Sequence, residues 1–227
     1  MVSSQREAFI VVTAGRVFVN GQKAVSPSQM VRETDTIEVR PEREFVGRGA
    51  LKLEAAIREW GIDVDDKACA DVGAATGGFT EVLLKRGAVK VYAIDAGRGK
   101  LDLKLREDPR VVVMEETNVL TMPPLPEPID VVTVDVSFTS LRLVLPKIRP
   151  WLSGQGSAIA LFKPQYEIED TSLLKHGVLR DERARLELVE RFRAWLKESG
   201  WRERGFMESP IRGSEGNVEY LFYLQPA

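Results

Sequence analysis

Apolar runs of strand length alternate with helical patterns over most of the chain, and this alternation restricts the fold more than any other feature of the sequence. Several runs are continuous, as in central strands of a parallel sheet that is covered on both faces. Apolar residues recur at helical spacing from Leu51 and again over residues 182–199, where Gly200 follows as a stop signal. We therefore predict a doubly wound, mostly parallel α/β sheet. The predicted strands are residues 68–72, 89–94, 111–114, 129–134, 157–162, 201–206 and 219–224.

The first 40 residues have a different pattern, with short β segments around a tight turn. Residues 17–19 lead into Asn20-Gly21, a pair that favours a type I′ hairpin turn, and residues 36–39 form a further β segment. The charged stretch that follows is typical of a linker. We predict a small N-terminal domain over residues 1–40, a linker over 41–46 and the α/β domain over 47–227.

Composition excludes several classes of protein. With 44% hydrophobic and 29% charged residues, the sequence is neither disordered nor fibrous in type. The net charge of -2 means that any nucleic-acid site must be local. No apolar run approaches the roughly 20 residues of a membrane span, and the start lacks the apolar core of a signal peptide, so we expect a cytoplasmic protein without membrane contact. Cys69 cannot form an internal disulfide, and His176 is the single histidine, so a histidine-based metal site is not expected.

A glycine-rich turn, DVGAATGG at residues 71–78, follows the first predicted strand of the sheet. Glycine lets the backbone approach a ligand closely at the carboxyl end of a parallel strand. The Gly-x-Gly-x-x-Gly spacing of dinucleotide binders and the Gly-Lys-Ser/Thr ending of phosphate loops are both absent. Asp95 ends the next strand, where its carboxylate can accept hydrogen bonds from both ribose hydroxyls of a nucleoside cofactor, with a helix cap as the alternative. Glu115 and Asn118 follow the third strand as candidates for contact with an adenine amino group, or as solvated loop residues.

Further motifs lie at the ends of other predicted elements. They are RGALKL at 48–53, DVSF at 135–138, FKPQYE at 162–167, GVLRD at 177–181, SPIR at 209–212 and GNVEY at 216–220. Together with residues 71–80 they resemble the TlyA family, the hemolysin A proteins, over about residues 15–223. The resemblance implies a Rossmann-like methyltransferase domain of the FtsJ/RrmJ kind, S-adenosylmethionine as cofactor, and ribosomal RNA or ribosomal subunits as substrate. The implied reaction is 2′-O-methylation of a ribose, with cytidine as the implied target.

By the same resemblance, the family's catalytic Lys-Asp-Lys-Glu set falls on Lys52, Asp135, Lys163 and Glu219. A ribose 2′-hydroxyl is a poor nucleophile, so its positioning and the control of its proton are the main tasks, and no metal is needed. Lys163 could accept the proton if neutral, or stabilise the developing alkoxide if charged. Asp135 and Glu219 would orient the lysines and the sugar, and Lys52 would hold the hydroxyl from the opposite side. Taken singly, each residue also fits a solvated loop or strand edge.

The resemblance extends to the cofactor site and to the N-terminal segment. The latter resembles the later part of an S4 RNA-binding domain, but only residues 6–13 precede the hairpin where the family has two helices. We therefore expect modest RNA affinity, and a solvated charged face is the alternative meaning of the basic residues.

For Asp71, stabilisation of the turn is the alternative to contact with the cofactor's amino group. Phe138 could stack against the target base or pack under a helix. The implied cofactor-binding residues are Asp71, Gly73, Ala74, Thr76, Gly77, Gly78, Phe79, Asp95, Glu115, Asn118 and Asp135. The candidate RNA-binding residues are Arg6, Arg16, Lys23, Arg32 and Arg48.

Three other functions are alternatives for such a sequence. A nicotinamide-dependent oxidoreductase on a similar sheet is disfavoured by the missing Gly-x-Gly-x-x-Gly. A catalytically inactive RNA-binding relative that assists ribosome assembly would differ in methyl incorporation. A membrane-lytic hemolysin, which the family's older name suggests, has no support in a spanning segment or an export signal.

Overall fold

The structure, a computed structural model, describes residue 2, residues 4–40 and residues 44–227. The chain divides into two compact units, residues 1–44 and 45–227. The boundary between the units thus follows Glu44. Of the linker predicted over residues 41–46, positions 41–43 lie outside the described residues.

The first unit combines one helix with a small antiparallel sheet. Helix α1 (Gln5–Thr13) precedes β1 (Val17–Val19), β2 (Gln22–Lys23) and β3 (Ile37–Val39), which lie in the order β2-β1-β3. Asn20 and Gly21 both have positive φ angles, 51° and 79°, as a type I′ turn requires, so the predicted hairpin is confirmed. The buried apolar core of this unit is small. It consists of Val11, Val17 and Ala24.

The second unit is built on a seven-stranded sheet with helices on both faces. Its strands are β4 (Ala68–Val72), β5 (Lys90–Ile94), β6 (Val111–Met114), β7 (Ile129–Val134), β8 (Leu152–Phe162), β9 (Leu174–Lys175), β10 (Val178–Leu179), β11 (Trp201–Glu208) and β12 (Tyr220–Pro226). Its α-helices are α2 (Ala50–Trp60), α3 (Gly78–Lys85), α4 (Leu103–Arg106), α5 (Leu141–Ile148) and α6 (Glu182–Glu198). Short 3-10 turns cover Arg149–Trp151, Pro164–Tyr166 and Thr171–Leu173.

The sheet order is β11-β12-β8-β7-β4-β5-β6, and β9 and β10 form a separate hairpin. Strands β8, β7, β4, β5 and β6 run parallel, whereas β12 is antiparallel to both β8 and β11. The predicted doubly wound, mostly parallel sheet is confirmed. The chain leaves β4 toward β5 and β6 and later returns on the other side of β4 through β7. Because strand order reverses there, the carboxyl ends of β4 and β7 form the crevice where such sheets bind ligands.

The core consists of two apolar layers, one on each face of the sheet. Neighbouring residues of β7 alternate between the layers, since Val132 packs with helices α5 and α6 and Val131 packs with α2 and α3. This burial on both faces explains why the central strands are rich in apolar residues instead of alternating apolar and polar ones. Among the residues that the structure describes, no helix is long and apolar enough to cross a bilayer.

Candidate functional site

The turn after β4 packs directly against the end of β7. Gly73 has a φ of 88°, and a Cβ at this position would collide with the Asp135 carbonyl. The backbone N–H groups of Gly73 and Ala74 both donate to the carbonyl of Ile94, at 2.8 and 3.1 Å. Glycine is therefore required here both for the backbone angle and for the close approach of the two chain segments.

Asp95, immediately after β5, is held as an anion at the edge of the crevice. Its Oδ2 accepts from the Ala75 N–H at 2.9 Å, and its Oδ1 accepts from the Gly97 N–H at 2.7 Å and from Lys100 Nζ at 3.1 Å. Partial burial opposes ionisation, but these hydrogen bonds outweigh it and keep the pKa of Asp95 below its ordinary value. The side chain is 11% exposed, so the carboxylate remains reachable by a ligand.

A crevice of about 450 Å³ lies beyond the ends of β4, β5 and β7. This volume lies within the range of cofactor-sized pockets. Of the predicted cofactor residues, Gly73, Asp95, Asn118 and Asp135 line the crevice. Lys100 lines it as well, and the sequence had given this residue no role at the cofactor site.

Asp71 lies beneath the turn and does not line the crevice. It is fully buried, and its two carboxylate oxygens accept from the hydroxyls of Thr80, at 2.7 Å, and Thr133, at 3.0 Å. Burial raises the pKa of Asp71 to about 6, although the two hydroxyl contacts oppose this shift. These contacts connect Asp71 to α3 and β7, and its contact with the cofactor stays a prediction.

Glu115 is also turned away from the crevice and organises a neighbouring loop. It accepts from the backbone N–H groups of Gly99, Lys100 and Leu101 at 2.8 to 3.1 Å. Arg106, 2.8 Å away, and these backbone groups lower the pKa of Glu115 to about 2. Glu115 thereby fixes the loop that carries Lys100. The predicted contacts that likewise do not line the crevice are Ala74, Thr76, Gly77, Gly78 and Phe79.

A second cavity, of about 280 Å³, shares Asp135 with the crevice and contains the four residues of the implied catalytic set. The four side chains form two ion pairs. Lys52 Nζ lies 2.5 Å from Glu219 Oε2, and Lys163 Nζ lies 2.7 Å from Asp135 Oδ1. Both lysine side chains are nearly buried, at 9% and 11% exposed, so neither is a solvated loop residue.

Each member of this set is positioned by a different element. Lys52 lies in the first turn of α2, and Asp135 follows β7, where its N–H donates to the Val72 carbonyl at 2.9 Å. Lys163 follows β8 directly. In the antiparallel register of β8 and β12, Tyr220 pairs with Phe162, so Glu219 comes next to Lys163. Four segments that are distant in sequence therefore meet at the carboxyl ends of β7 and β8, the catalytic edge of the sheet.

The Lys163 ammonium is oriented by two acceptors. In addition to Asp135, it donates to Ser137 Oγ at 3.1 Å. An ammonium group has three N–H donors, so one remains for an oxygen that enters the second cavity. The side chain is thus fixed while still able to bind a further group.

Phe138, which lines the crevice, forms an aromatic pair with Tyr166. Phe138 has a φ of 60° and is 88% exposed, and its ring centroid lies 5.1 Å from that of Tyr166. The loops that carry the two rings are joined by Glu167, which accepts from the Ser140 hydroxyl at 2.6 Å and from the Leu141 N–H at 2.7 Å. Burial raises the pKa of Glu167. Phe138 is therefore not packed under a helix, the alternative that the sequence had left open.

The predicted RNA-binding residues fall into two groups. Arg6, Lys23 and Arg32 are exposed in the first unit, where Arg16 uses its Nε to donate to the Arg40 carbonyl at 2.9 Å. Arg48 belongs to the second unit and lines the second cavity. Contact of these five residues with RNA stays a prediction.

Comparison with known proteins matches residues 45–225 to the FtsJ-like methyltransferase family. A relative from Mycobacterium tuberculosis named 16S/23S rRNA (cytidine-2'-O)-methyltransferase TlyA is 40% identical, over 99% of this chain and 85% of the relative. Hemolysin A from Brachyspira hyodysenteriae is also 40% identical, over 97% of this chain and 93% of the relative. A solved structure from Streptococcus thermophilus, named as a hemolysin, has a TM-score of 0.79 at 34% identity and covers 100% of this chain and 84% of that one.

Proposed function

The chain belongs to the FtsJ-like methyltransferase family, and we propose that it transfers a methyl group from S-adenosylmethionine to a ribose 2′-hydroxyl of ribosomal RNA. One observation carries the proposal. Asp135 lines both the cofactor-sized crevice and the cavity that contains the Lys52–Glu219 and Lys163–Asp135 ion pairs. A methyl donor and a hydroxyl acceptor would therefore meet at this residue.

The crevice fits S-adenosylmethionine in its donor and acceptor groups. The ionised, partly exposed Asp95 would accept hydrogen bonds from the ribose hydroxyls, the Asn118 side chain would meet the adenine, and the turn at Gly73 would admit the methionine portion. When bound, the cofactor supplies an electrophilic methyl group on a sulfonium. Lys100 now shares Asp95 with two backbone N–H groups, so it would turn toward solvent as the ribose enters.

The protein's part in the reaction is to hold the hydroxyl and control its proton. Lys163, with one N–H free after its contacts to Asp135 and Ser137, binds the attacking oxygen. A charged Lys163 stabilises the developing alkoxide and a neutral Lys163 takes the proton, and both roles require Nζ where these two acceptors hold it. Lys52, fixed by Glu219, approaches the sugar from the other side of the same cavity.

We further propose cytidine as the target nucleoside, since the relative from Mycobacterium tuberculosis carries that name. An unpaired base is commonly recognised by stacking on an aromatic ring. Phe138, which lines the crevice and has its exposed ring against Tyr166, offers such a surface three residues after Asp135. This arrangement supports a target nucleotide that is unstacked from its RNA when it reacts.

We also propose that residues 1–40 form part of an S4-like RNA-binding domain, joined by a linker over 41–46 to a methyltransferase domain over 47–227. The helix, the three-stranded sheet and the exposed basic side chains of the first unit support this division. A ribosomal substrate would place the protein in the cytoplasm.

We expect the protein to transfer tritium-labelled methyl groups to ribosomal subunits from cells that lack it. Mapping of 2′-O-methyl marks in the RNA would then give the target nucleotide and the subunit, and a reaction without protein is the control. Binding of both cofactor and subunits without any methyl incorporation would instead favour the catalytically inactive, ribosome-assembly alternative.

Replacement of Asp95 by alanine should weaken cofactor binding. Loss of a charged acceptor for the ribose hydroxyls predicts a rise in the Kd for S-adenosylmethionine on the order of tenfold or more. Isothermal titration calorimetry measures this change directly. Asp108→Ala, which removes an aspartate outside the crevice that is paired with Arg110, is the matched control. Equal Kd values for the two variants would show that Asp95 does not bind the cofactor.

A further inference from the structure

Two arginine side chains at the second cavity have no carboxylate partner in the part of the chain that the structure describes. Lys52 and Lys163 are paired with Glu219 and Asp135, whereas Arg48 and Arg212 line the same cavity without an ion pair. The cavity is thus lined by four cationic side chains and two anionic ones. Two positive charges are left for a ligand, and both belong to guanidinium groups.

Each of these arginines precedes a glycine whose backbone lies near a catalytic carboxylate. A Cβ at Gly213 would lie 2.6 Å from Glu219 Oε1, and a Cβ at Gly49 would lie 3.9 Å from Asp135 Oδ2. The backbone is therefore pressed close to Glu219 at Gly213 and lies within van der Waals reach of Asp135 at Gly49. Arg212 and Arg48 immediately precede these two glycines. The side chain of each arginine therefore starts from backbone that lies next to the catalytic residues.

The loop that carries Arg212 is held in place by hydrogen bonds on its C-terminal side. The Gly213 N–H donates to the Asn217 carbonyl at 3.0 Å, which closes a tight turn. The buried Asn217 side chain accepts from the Leu179 N–H at 3.0 Å and donates to the Gly177 carbonyl at 2.9 Å. The loop is thereby anchored on the β9–β10 hairpin, and it presents Arg212 from a defined backbone.

The two arginines are also connected to each other. Arg48 Nη2 donates to the backbone carbonyl of Arg212 at 3.3 Å. This contact uses one N–H of Arg48 and none of the Arg212 side chain, so the second guanidinium and most of the first remain available. A guanidinium presents a planar fork of donors that matches two oxygens of a phosphate.

The chemistry of RNA determines which anion lies closest to a reacting 2′-hydroxyl. The carbon that bears the 2′-oxygen is bonded to the carbon that bears the 3′-oxygen, and in an RNA chain that oxygen carries a phosphodiester. A ribose whose 2′-hydroxyl contacts Lys163 therefore brings an anionic group into the same cavity. We propose, on the basis of the proposed function, that Arg48 and Arg212 bind the phosphodiester on the 3′ side of the target nucleotide.

The test replaces Arg212 by glutamine, which keeps the backbone carbonyl that Arg48 uses. We expect the KM for ribosomal subunits to rise roughly fivefold, as for loss of a solvent-exposed charged contact. The slope of log KM against log salt concentration should fall by about 1, because one phosphate contact is lost. The Kd for S-adenosylmethionine should equal that of the wild-type protein. The double variant Arg48→Gln/Arg212→Gln should lower the salt slope further.

Arg202→Gln is the matched control, because Arg202 is an exposed arginine at the opposite end of β11 from the catalytic edge of the sheet. If Arg212→Gln and Arg202→Gln share the same KM and the same salt slope, the phosphate site is refuted. Fluorescence anisotropy with a short labelled single-stranded RNA gives a second readout that does not depend on methyl transfer. Weaker RNA binding by Arg212→Gln alone, with no methyl transfer by the wild-type protein, would support the arginine site and overturn the proposed reaction.

Discussion

Lys163→Ala is expected to abolish methyl transfer to ribosomal RNA while leaving the binding of S-adenosylmethionine intact. The side chain lines the acceptor cavity and is absent from the lining of the cofactor crevice. Its removal takes away the group that binds the attacking oxygen and manages the proton, an effect worth roughly 10²–10⁴-fold in kcat. Methyl incorporation with tritium-labelled cofactor measures the first effect, and calorimetry of cofactor binding measures the second.

Two further variants make this experiment specific. Lys147→Ala, in α5, removes a lysine outside both cavities and should retain wild-type turnover. Lys163→Arg keeps the positive charge but cannot act as a base, because a guanidinium does not lose its proton in proteins. Partial activity of Lys163→Arg would therefore assign charge stabilisation to this position, and complete loss would favour proton transfer. Near-normal turnover by Lys163→Ala would show that Lys163 takes no part in methyl transfer.

Gly73→Ala is expected to prevent cofactor binding and to destabilise the second unit. The added methyl group would collide with the Asp135 carbonyl, and alanine would have to adopt a φ of 88°. The turn and the end of β7 must then separate, which distorts the crevice that both of them line. We expect a loss of roughly 1–3 kcal/mol in the free energy of unfolding. Chemical denaturation and calorimetric titration with S-adenosylmethionine measure the two effects.

Gly61→Ala separates backbone strain from collision. Gly61 ends α2 with a φ of 59°, and an added Cβ there would have no atom within 4 Å. This control should lose some stability while binding the cofactor as the wild-type protein does. If Gly73→Ala also binds the cofactor normally, then the close contact with Asp135 does not shape the crevice.

The fold could be predicted from sequence because strands buried on both faces of a sheet are rich in apolar residues, and this pattern is easily recognised. Strands β4 and β7 consist mostly of apolar residues, and their predicted bounds match those observed. The direction of a strand, in contrast, has no recognisable pattern of residues. The pattern of residues 219–224 looks the same whether the strand runs parallel or antiparallel, so the reversed direction of β12 could be seen only in the structure.

The site was predictable where a motif identifies a residue and less so where the surroundings decide its role. Lys52 and Glu219 followed from the family resemblance, and they are in contact. Asp71 and Glu115 were also predicted, at strand ends where ligands bind, but neither lines the crevice, and their oxygens accept from Thr80, Thr133 and backbone N–H groups, so their contact with the cofactor stays a prediction. Sequence cannot show which donors surround a carboxylate. For the same reason the motif at residues 209–212 included Arg212 without indicating that its side chain lines the second cavity.

The position of β12 within the sheet separates the two halves of the site. The β11–β12 hairpin is attached to the rest of the sheet through β8 alone, whereas the crevice is formed by β4, β5 and β7. Glu219 is held beside Lys52 by the pairing of β12 with β8, whereas Gly73 and Asp95 follow β4 and β5. The alignment of β12 on β8 therefore fixes the acceptor half of the proposed site, and the crevice for the methyl donor is built from other strands.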